Sequence, residues 1–189
     1  MKKVLFGVFS VVGVALAMYT FSPIKKGDHA PQSAGKAVSI KWMSWQEAVE
    51  ANKKEKKKIF IDCYTDWCGW CKKMDASTFT DPKVVEEMNK HFYAVKFDAE
   101  QKENIVFDNH TFKYIASGSR GVHELAYALL DGQLGYPSFV YLDEKFQRVT
   151  ISPGYKTPEQ IIPELKFVGE GHYNGKTYEQ YVKGVSSKK

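Results

Sequence analysis

The stretch IFIDCYTDWCGWCKKM, residues 59–74, joins an apolar run to two cysteines that are two residues apart. Ile59 to Tyr64 has the pattern of a buried strand. Cys68 and Cys71 follow at a strand-to-helix junction. A helix N-terminus presents free N–H groups and the positive end of the helix dipole, and both favour a thiolate at Cys68. Cys71 lies one helical turn on, where it can close a ring with Cys68, and Gly69 is read as letting the chain turn tightly between them. Three readings of the pair stand side by side: a redox couple, an inert structural disulfide, and half of a zinc site. Zinc needs two more ligands, and the chain has no second Cys-x-x-Cys and no His-x3-His. The residue directly after Cys71 is lysine and not histidine, which excludes covalent haem attachment. The junction favours the redox couple. Cys63, on the strand, is expected to be a buried free thiol outside the disulfide, with a third redox thiol as the alternative.

Working outward, Ser44-Trp45-Gln46-Glu47 is a capping box that predicts a helix over 45–52. Asp81-Pro82 predicts an N-cap and first helical residue for a helix to about Lys90. Phe92 to Asp98 reads as a second central strand, Ser138 to Leu142 as a third and Phe146 to Ile151 as a fourth. A short Asp143–Lys145 connection makes the last two a hairpin. Thr157-Pro158-Glu159-Gln160 caps a final helix to about Val168, which Pro163 is expected to kink or delay. Asn104 to Ile115 reads as a hairpin turning at Asp108-Asn109, and Val122 to Leu130 as a helix. The order implies an α/β fold, a mixed central sheet with helices on both faces.

The N-terminus reads as a targeting segment. Lys2-Lys3 precede an apolar stretch from Val4, and Ala15-Leu16-Ala17 fits a small-x-small cleavage site. Residues 1–21 are therefore a signal peptide or an N-terminal membrane anchor, since Val4 to Phe21 is about the minimum for a span. Either way the folded part is expected in the periplasm or another extracytoplasmic space, where disulfides persist. Residues 22–40 read as a linker, 41–170 as the domain and 171–189 as a C-terminal extension.

Composition narrows the partners. The 189-residue chain is 43% hydrophobic and 14% aromatic, enough for one domain with a core. Five lysines cluster at 53–58, KKEKKK, within a net charge of only +5. Without interleaved aromatics or arginines the run reads as a solvated helix end, and no nucleic-acid partner is expected. The five histidines are scattered and carry no assigned role.

Trp67-Cys68-Gly69-Trp70-Cys71-Lys72 resembles the thioredoxin active site, and the likeness continues outside it. Asp62 sits six residues before Cys68, where the family carries a buried acid. Lys96 sits on the next strand, where the family places that acid's neighbour. Gly135-Tyr136-Pro137-Ser138 resembles the loop bearing the family's cis-proline, and Gly154 fits the glycine of the last strand. The resemblance covers roughly Ile59 to Lys166. Cys-x-x-Cys-Lys-x-Met followed by Thr-Phe-x-Asp-Pro looks closest to the thioredoxin-like domains of exported bacterial proteins, such as the electron-delivering domain of the membrane thiol transporter DsbD. The chain departs from the family pattern in three places. Trp70 replaces the usual proline, Tyr136 is bulkier than the usual aliphatic, and residues 101–134 hold an insertion before the proline loop.

The resemblance implies a thioredoxin-like fold and a thiol–disulfide oxidoreductase that reduces or isomerises protein disulfides. Cys68 would attack, Cys71 resolve, and Asp62 beside Lys96 move the resolving proton. Trp67, Gly69, Trp70, Tyr136 and Pro137 would form the substrate surface. A carboxylate inside an apolar strand is costly without a function, which independently supports Asp62. Tryptophans beside a thiolate supply an apolar surface for substrate chains. No cofactor or metal is called for. The implied partners are disulfide-containing proteins and a membrane thiol electron donor. The alternative is a non-catalytic peptide-binding or chaperone module using the tryptophan surface.

Overall fold

The computed structural model describes residues 38–187. The expected targeting segment and most of the linker lie outside them. Among the described residues no helix is long and apolar enough to cross a membrane.

Five strands form the central sheet. They are β1 (Trp42–Met43), β2 (Lys58–Tyr64), β3 (Phe92–Asp98), β8 (Ser138–Leu142) and β9 (Arg148–Pro153), in the order β1-β3-β2-β8-β9. Strands β1, β3 and β2 run parallel, while β8 and β9 are antiparallel to their neighbours. β2 is central and five of its seven residues are buried, as expected of a strand covered on both faces. Alternation along it divides the core. Phe60 points to the face covered by α2 (Gly69–Ala76), α3 (Pro82–His91) and α5 (Pro158–Gly169). Ile59, Ile61 and Cys63 point to the face covered by α1 (Trp45–Lys54) and α4 (Glu124–Leu129).

The caps explain where the helices start. Ser44 and Glu47 close a capping box on α1, with Glu47 accepting the Ser44 N–H at 2.7 Å. The Asp81 carboxylate accepts from the N–H groups of Lys83 and Val84 on α3. Thr157 and Gln160 close a second box on α5, which starts at Pro158 without delay and runs through Pro163. The lysine run is bound to the domain itself. Lys53 pairs with Glu50, Lys58 with Glu144, and Lys57 donates to the Asn89 carbonyl at 2.6 Å.

Several expected boundaries move. Ile40 is buried in the core, and Asn89 ties down the backbone of Ser39 and Lys41, so the fold begins inside the segment read as linker. Strand β1 was not expected. The strand expected over 146–151 is β9 and spans 148–153. The Asp143 carboxylate accepts from the N–H groups of Lys145 and Gln147 and holds Phe146 in the connecting turn at φ 64°. The extension after Gly171 closes over α5. Its helix α6 (Tyr178–Ser186) sets Tyr178 and Tyr181 against Phe167, at 5.4 and 5.5 Å between rings.

The insertion holds two hairpins. The first pairs β4 (Ile105–Phe107) with β5 (His110–Phe112) across Asp108 and Asn109, both at positive φ, the two-residue turn that suits strand twist. The second pairs β6 (Tyr114–Ser117) with β7 (Arg120–His123). The first hairpin therefore ends at Phe112, before Ile115. Val122 and His123 belong to β7, and α4 starts only at Glu124. His123 sets that start: its Nδ1 accepts the Leu125 N–H, and its Nε2 lies 3.0 Å from the Glu103 carbonyl.

Phe60 is fully buried and touches the rings of Trp42, Phe79, Phe92, Phe139 and Tyr141. Truncating such a residue removes its transfer free energy and leaves a cavity. Phe60→Ala is expected to lower unfolding stability by about 3–5 kcal/mol in urea titrations. A loss below about 1 kcal/mol would show that this aromatic cluster does not hold the sheet.

Candidate active site

Cys68 and Cys71 are joined in a disulfide, with Cα atoms 5.3 Å apart. Cys63 is a buried free cysteine. Cys63 faces the α1/α4 side of β2, whereas Cys68 and Cys71 stand at the start of α2, which covers the other face. Burial pushes the Cys63 thiol far above its ordinary pKa, with the Asp62 carboxylate adding to the rise, so it stays protonated.

Cys68 is the N-cap of α2. Its Sγ lies 3.1 Å from the Cys71 backbone nitrogen, which donates to it. In the reduced protein that N–H and the helix dipole stabilise a thiolate at Cys68. Both sulfur residues are buried, whereas the flanking Trp67 and Trp70 are 51% and 56% exposed. The accessible surface at the pair is aromatic. Gly69 does not act as a turn residue. It is the first residue of α2 with no positive φ, and an added Cβ would meet nothing within 4 Å. Its lack of a side chain leaves open space beside the disulfide.

Asp62 stands opposite Lys96 in the β2–β3 register, and by alternation it shares the Phe60 face, the one α2 covers. Its side chain is 1% exposed. Oδ2 accepts from the Lys96 ammonium at 2.6 Å, while Oδ1 is buried with no hydrogen-bond partner. Lys96 also binds Asp75 on α2 and lies over the rings of Tyr64, Trp42 and Phe79. Burial raises the Asp62 pKa to about 6, against the pull of Lys96 and with a further push from Asp75. Burial acts downward on Lys96, but the Asp62 and Asp75 carboxylates hold its pKa above the ordinary value. The group is thus a carboxyl that changes charge near neutrality, one oxygen free, beside a permanent ammonium.

The Tyr136–Pro137 bond is cis. The Pro137 carbonyl accepts the Gly154 N–H at 2.8 Å, and Gly154 sits at φ 88°, a conformation glycine adopts without steric cost. Tyr136 meets Trp67 edge-on at 6.0 Å, which brings the proline loop to the redox pair. Trp70 packs on Tyr155 at 5.2 Å.

Every residue expected in the site lies on β2, on α2, on β3 or in the loops before α2 and β8. Four neighbours were not anticipated. Asp75 shares Lys96, Glu100 accepts the Trp67 Nε1–H at 3.0 Å, and Tyr155 and Arg120 each meet a tryptophan. Asp75 was legible as the residue one helical turn beyond Cys71. The other three come from loops and the insertion, whose placement no periodicity reveals.

Comparison with known proteins follows the same outline. Residues 32–161 match the family model Thioredox_DsbH, described as "Protein of unknown function, DUF255". Spermatogenesis-associated protein 20 of Rattus norvegicus is 30% identical over 83 residues, 43% of this chain and 10% of that protein. The chain thus spans about a tenth of the length of the curated relatives it matches. Among solved structures, a thioredoxin from Thermus thermophilus superposes with a TM-score of 0.55 at 19% identity, covering 73% of this chain and 94% of that one. A structure titled "DsbH Oxidoreductase" does so with a TM-score of 0.54 at 20% identity, covering 77% and 95%. These likenesses establish the thioredoxin-like fold, and by its match over residues 32–161 the chain belongs to the Thioredox_DsbH family.

Proposed function

We propose that the protein is a thiol–disulfide oxidoreductase that reduces or isomerises disulfides of other proteins outside the cytoplasm. The observation that carries this reading is the Cys68–Cys71 disulfide at the start of α2, on the sheet face that also holds the buried, half-partnered Asp62. In the reduced protein the Cys68 thiolate attacks one sulfur of a substrate disulfide. The substrate's S–S bond breaks, a mixed disulfide forms, and the departing substrate thiolate takes up a proton. Asp62, through water, takes the proton from the Cys71 thiol. Cys71 then attacks the Cys68 sulfur, and the second substrate thiolate leaves and is protonated. Two electrons have passed to the substrate, and the Cys68–Cys71 disulfide is re-formed. An external dithiol must reduce it again, and a membrane thiol carrier is the donor the compartment calls for. Residues 1–21 support export, with the domain free or tethered by that segment.

The test is insulin reduction by the full chain with dithiothreitol as donor. Cys68→Ser is expected to bring the rate to the uncatalysed background. Equal rates in the two proteins would make the domain a binding module instead. The reduction potential then sets the direction: a value near about −270 mV supports the reductase, and one near about −120 mV an oxidant of dithiols.

A further inference from the structure

Trp67 precedes Cys68 and Trp70 stands between the two cysteines, and each ring carries a cation. Lys73 on α2 sits over Trp70 at 4.9 Å and over Tyr155 at 5.2 Å. Arg120, at the start of β7, lies over Trp67 with its guanidinium carbon 4.3 Å from the ring centroid. The two arginines of the chain are used differently. Arg148 is bound to Asp131 at 2.6 Å and to the carbonyls of Ala128 and Leu129. Arg120 is exposed, and no carboxylate of the described residues lies within 4.0 Å of it. A guanidinium stacked on an aromatic face spends its own face on the contact. Its in-plane N–H fork remains free and has the shape of a carboxylate.

The acids nearby define a direction. Glu100 accepts the Trp67 indole N–H, and the Asp98 carboxylate accepts the Glu100 backbone N–H. With the exposed Asp66, whose charge acts on Asp98 as that of Glu100 does, they gather negative charge behind the Glu100 contact at the Nε1 edge of Trp67. A substrate anion is repelled from that edge and is admitted on the side of Arg120.

We infer that Arg120 is a specificity residue that receives a carboxylate next to the reacting cysteine of the substrate, so that preferred substrates carry Asp or Glu beside the disulfide. The inference rests on the redox reading proposed above. It gives the β6–β7 hairpin a role, since that hairpin carries the fork to the redox pair from outside the core sheet.

The experiment uses two disulfide-bonded peptides that are identical except for Glu or Gln beside the cysteines. The ratio of their kcat/KM values, taken within each protein, cancels any effect of a variant on the Cys68 thiolate. The wild type is expected to favour the Glu peptide about two- to fivefold at low salt, the scale of one exposed ion pair, mainly through KM. The preference should fade in high salt, where exposed charges are screened. Arg120→Glu is expected to invert the ratio, and Arg120→Lys, which keeps charge but loses the fork, to retain part of it. Equal wild-type rates, or a ratio unchanged in Arg120→Glu, would overturn the role of Arg120. Failure to reduce either peptide would remove the redox reading itself, and the substrate role of Arg120 with it.

Discussion

A Cys71→Ser protein is expected to accumulate as a mixed disulfide with its substrate while turnover falls by more than about a thousandfold, the scale seen when one member of a set that acts as a unit is removed. The attacking half of the site survives this change. The group donating to Cys68 Sγ is the backbone N–H of residue 71, which serine keeps, and α2 still starts at the same cap. Attack on a substrate disulfide therefore proceeds. Resolution does not, because the neighbouring Cys63 points to the opposite face of β2 and burial holds it protonated. Non-reducing electrophoresis and peptide mapping should find the substrate on residue 68 alone. Cys68→Ser should give no adduct. Substrate linked to Cys63, or turnover close to wild type in Cys71→Ser, would remove Cys71 as the resolving thiol.

The parts of this site that were legible in the sequence are those fixed by local rules. Alternation along Ile59–Tyr64 puts Asp62 and Cys63 on opposite faces, since a strand has a period of two. The free Cys63 agrees with that alternation, whereas Lys96 as the partner of Asp62 is legible only through the family resemblance, and the β2–β3 register sets it. The caps at Ser44, Asp81 and Thr157 marked three helix starts, because an N-cap side chain and the N–H groups it satisfies lie within one turn.

The illegible parts depend on partners distant in sequence. Val122 and His123 have no local reason to prefer a strand to the first turn of a helix. Their pairing with Ile115 and Tyr114 decides it, and the close approach of Gly121 to the Ile115 carbonyl leaves no room for a Cβ. Phe146 reads as a strand residue by composition, yet the Asp143 carboxylate captures two backbone N–H groups and bends the chain there. Trp42 and Met43 become a strand only because the edge of β3 is open to them. The setting of Trp67 is of the same kind. Its ring is held by Arg120, Glu100 and Tyr136, which come from three separate segments.

Asp62→Asn is expected to slow release from the mixed disulfide about a hundredfold near pH 7, the usual scale for loss of a general base, while making the fold more stable. Both effects come from the same buried carboxyl. Its folded pKa, about 6, lies above the ordinary 3.8, so the fold binds that proton more tightly than the unfolded chain does. The stability this contributes is fully present below about pH 4 and is lost as the pH rises through about 6. Above that, the protein carries a buried charge that asparagine lacks. The variant should gain on the order of 1–3 kcal/mol at pH 8 and little at pH 4, with Lys96 still paired to Asp75. The rate moves the other way. With the basic carboxylate replaced by an amide that cannot take up a proton, the Cys71 proton must leave to water, and the gap to wild type should narrow toward pH 9 as the thiol ionises unaided. Urea titrations at pH 4 and 8, and timed product release from trapped Cys68 across pH 6–9, measure the two effects separately. Equal release rates would make Asp62 structural only. A variant destabilised at pH 8 would mean that the ion pair with Lys96 outweighs the burial of its charge. A protein that becomes more stable and less active through the loss of one oxygen's charge is what a carboxylate kept for proton transfer predicts, because a purely structural carboxylate would not lower stability by ionising.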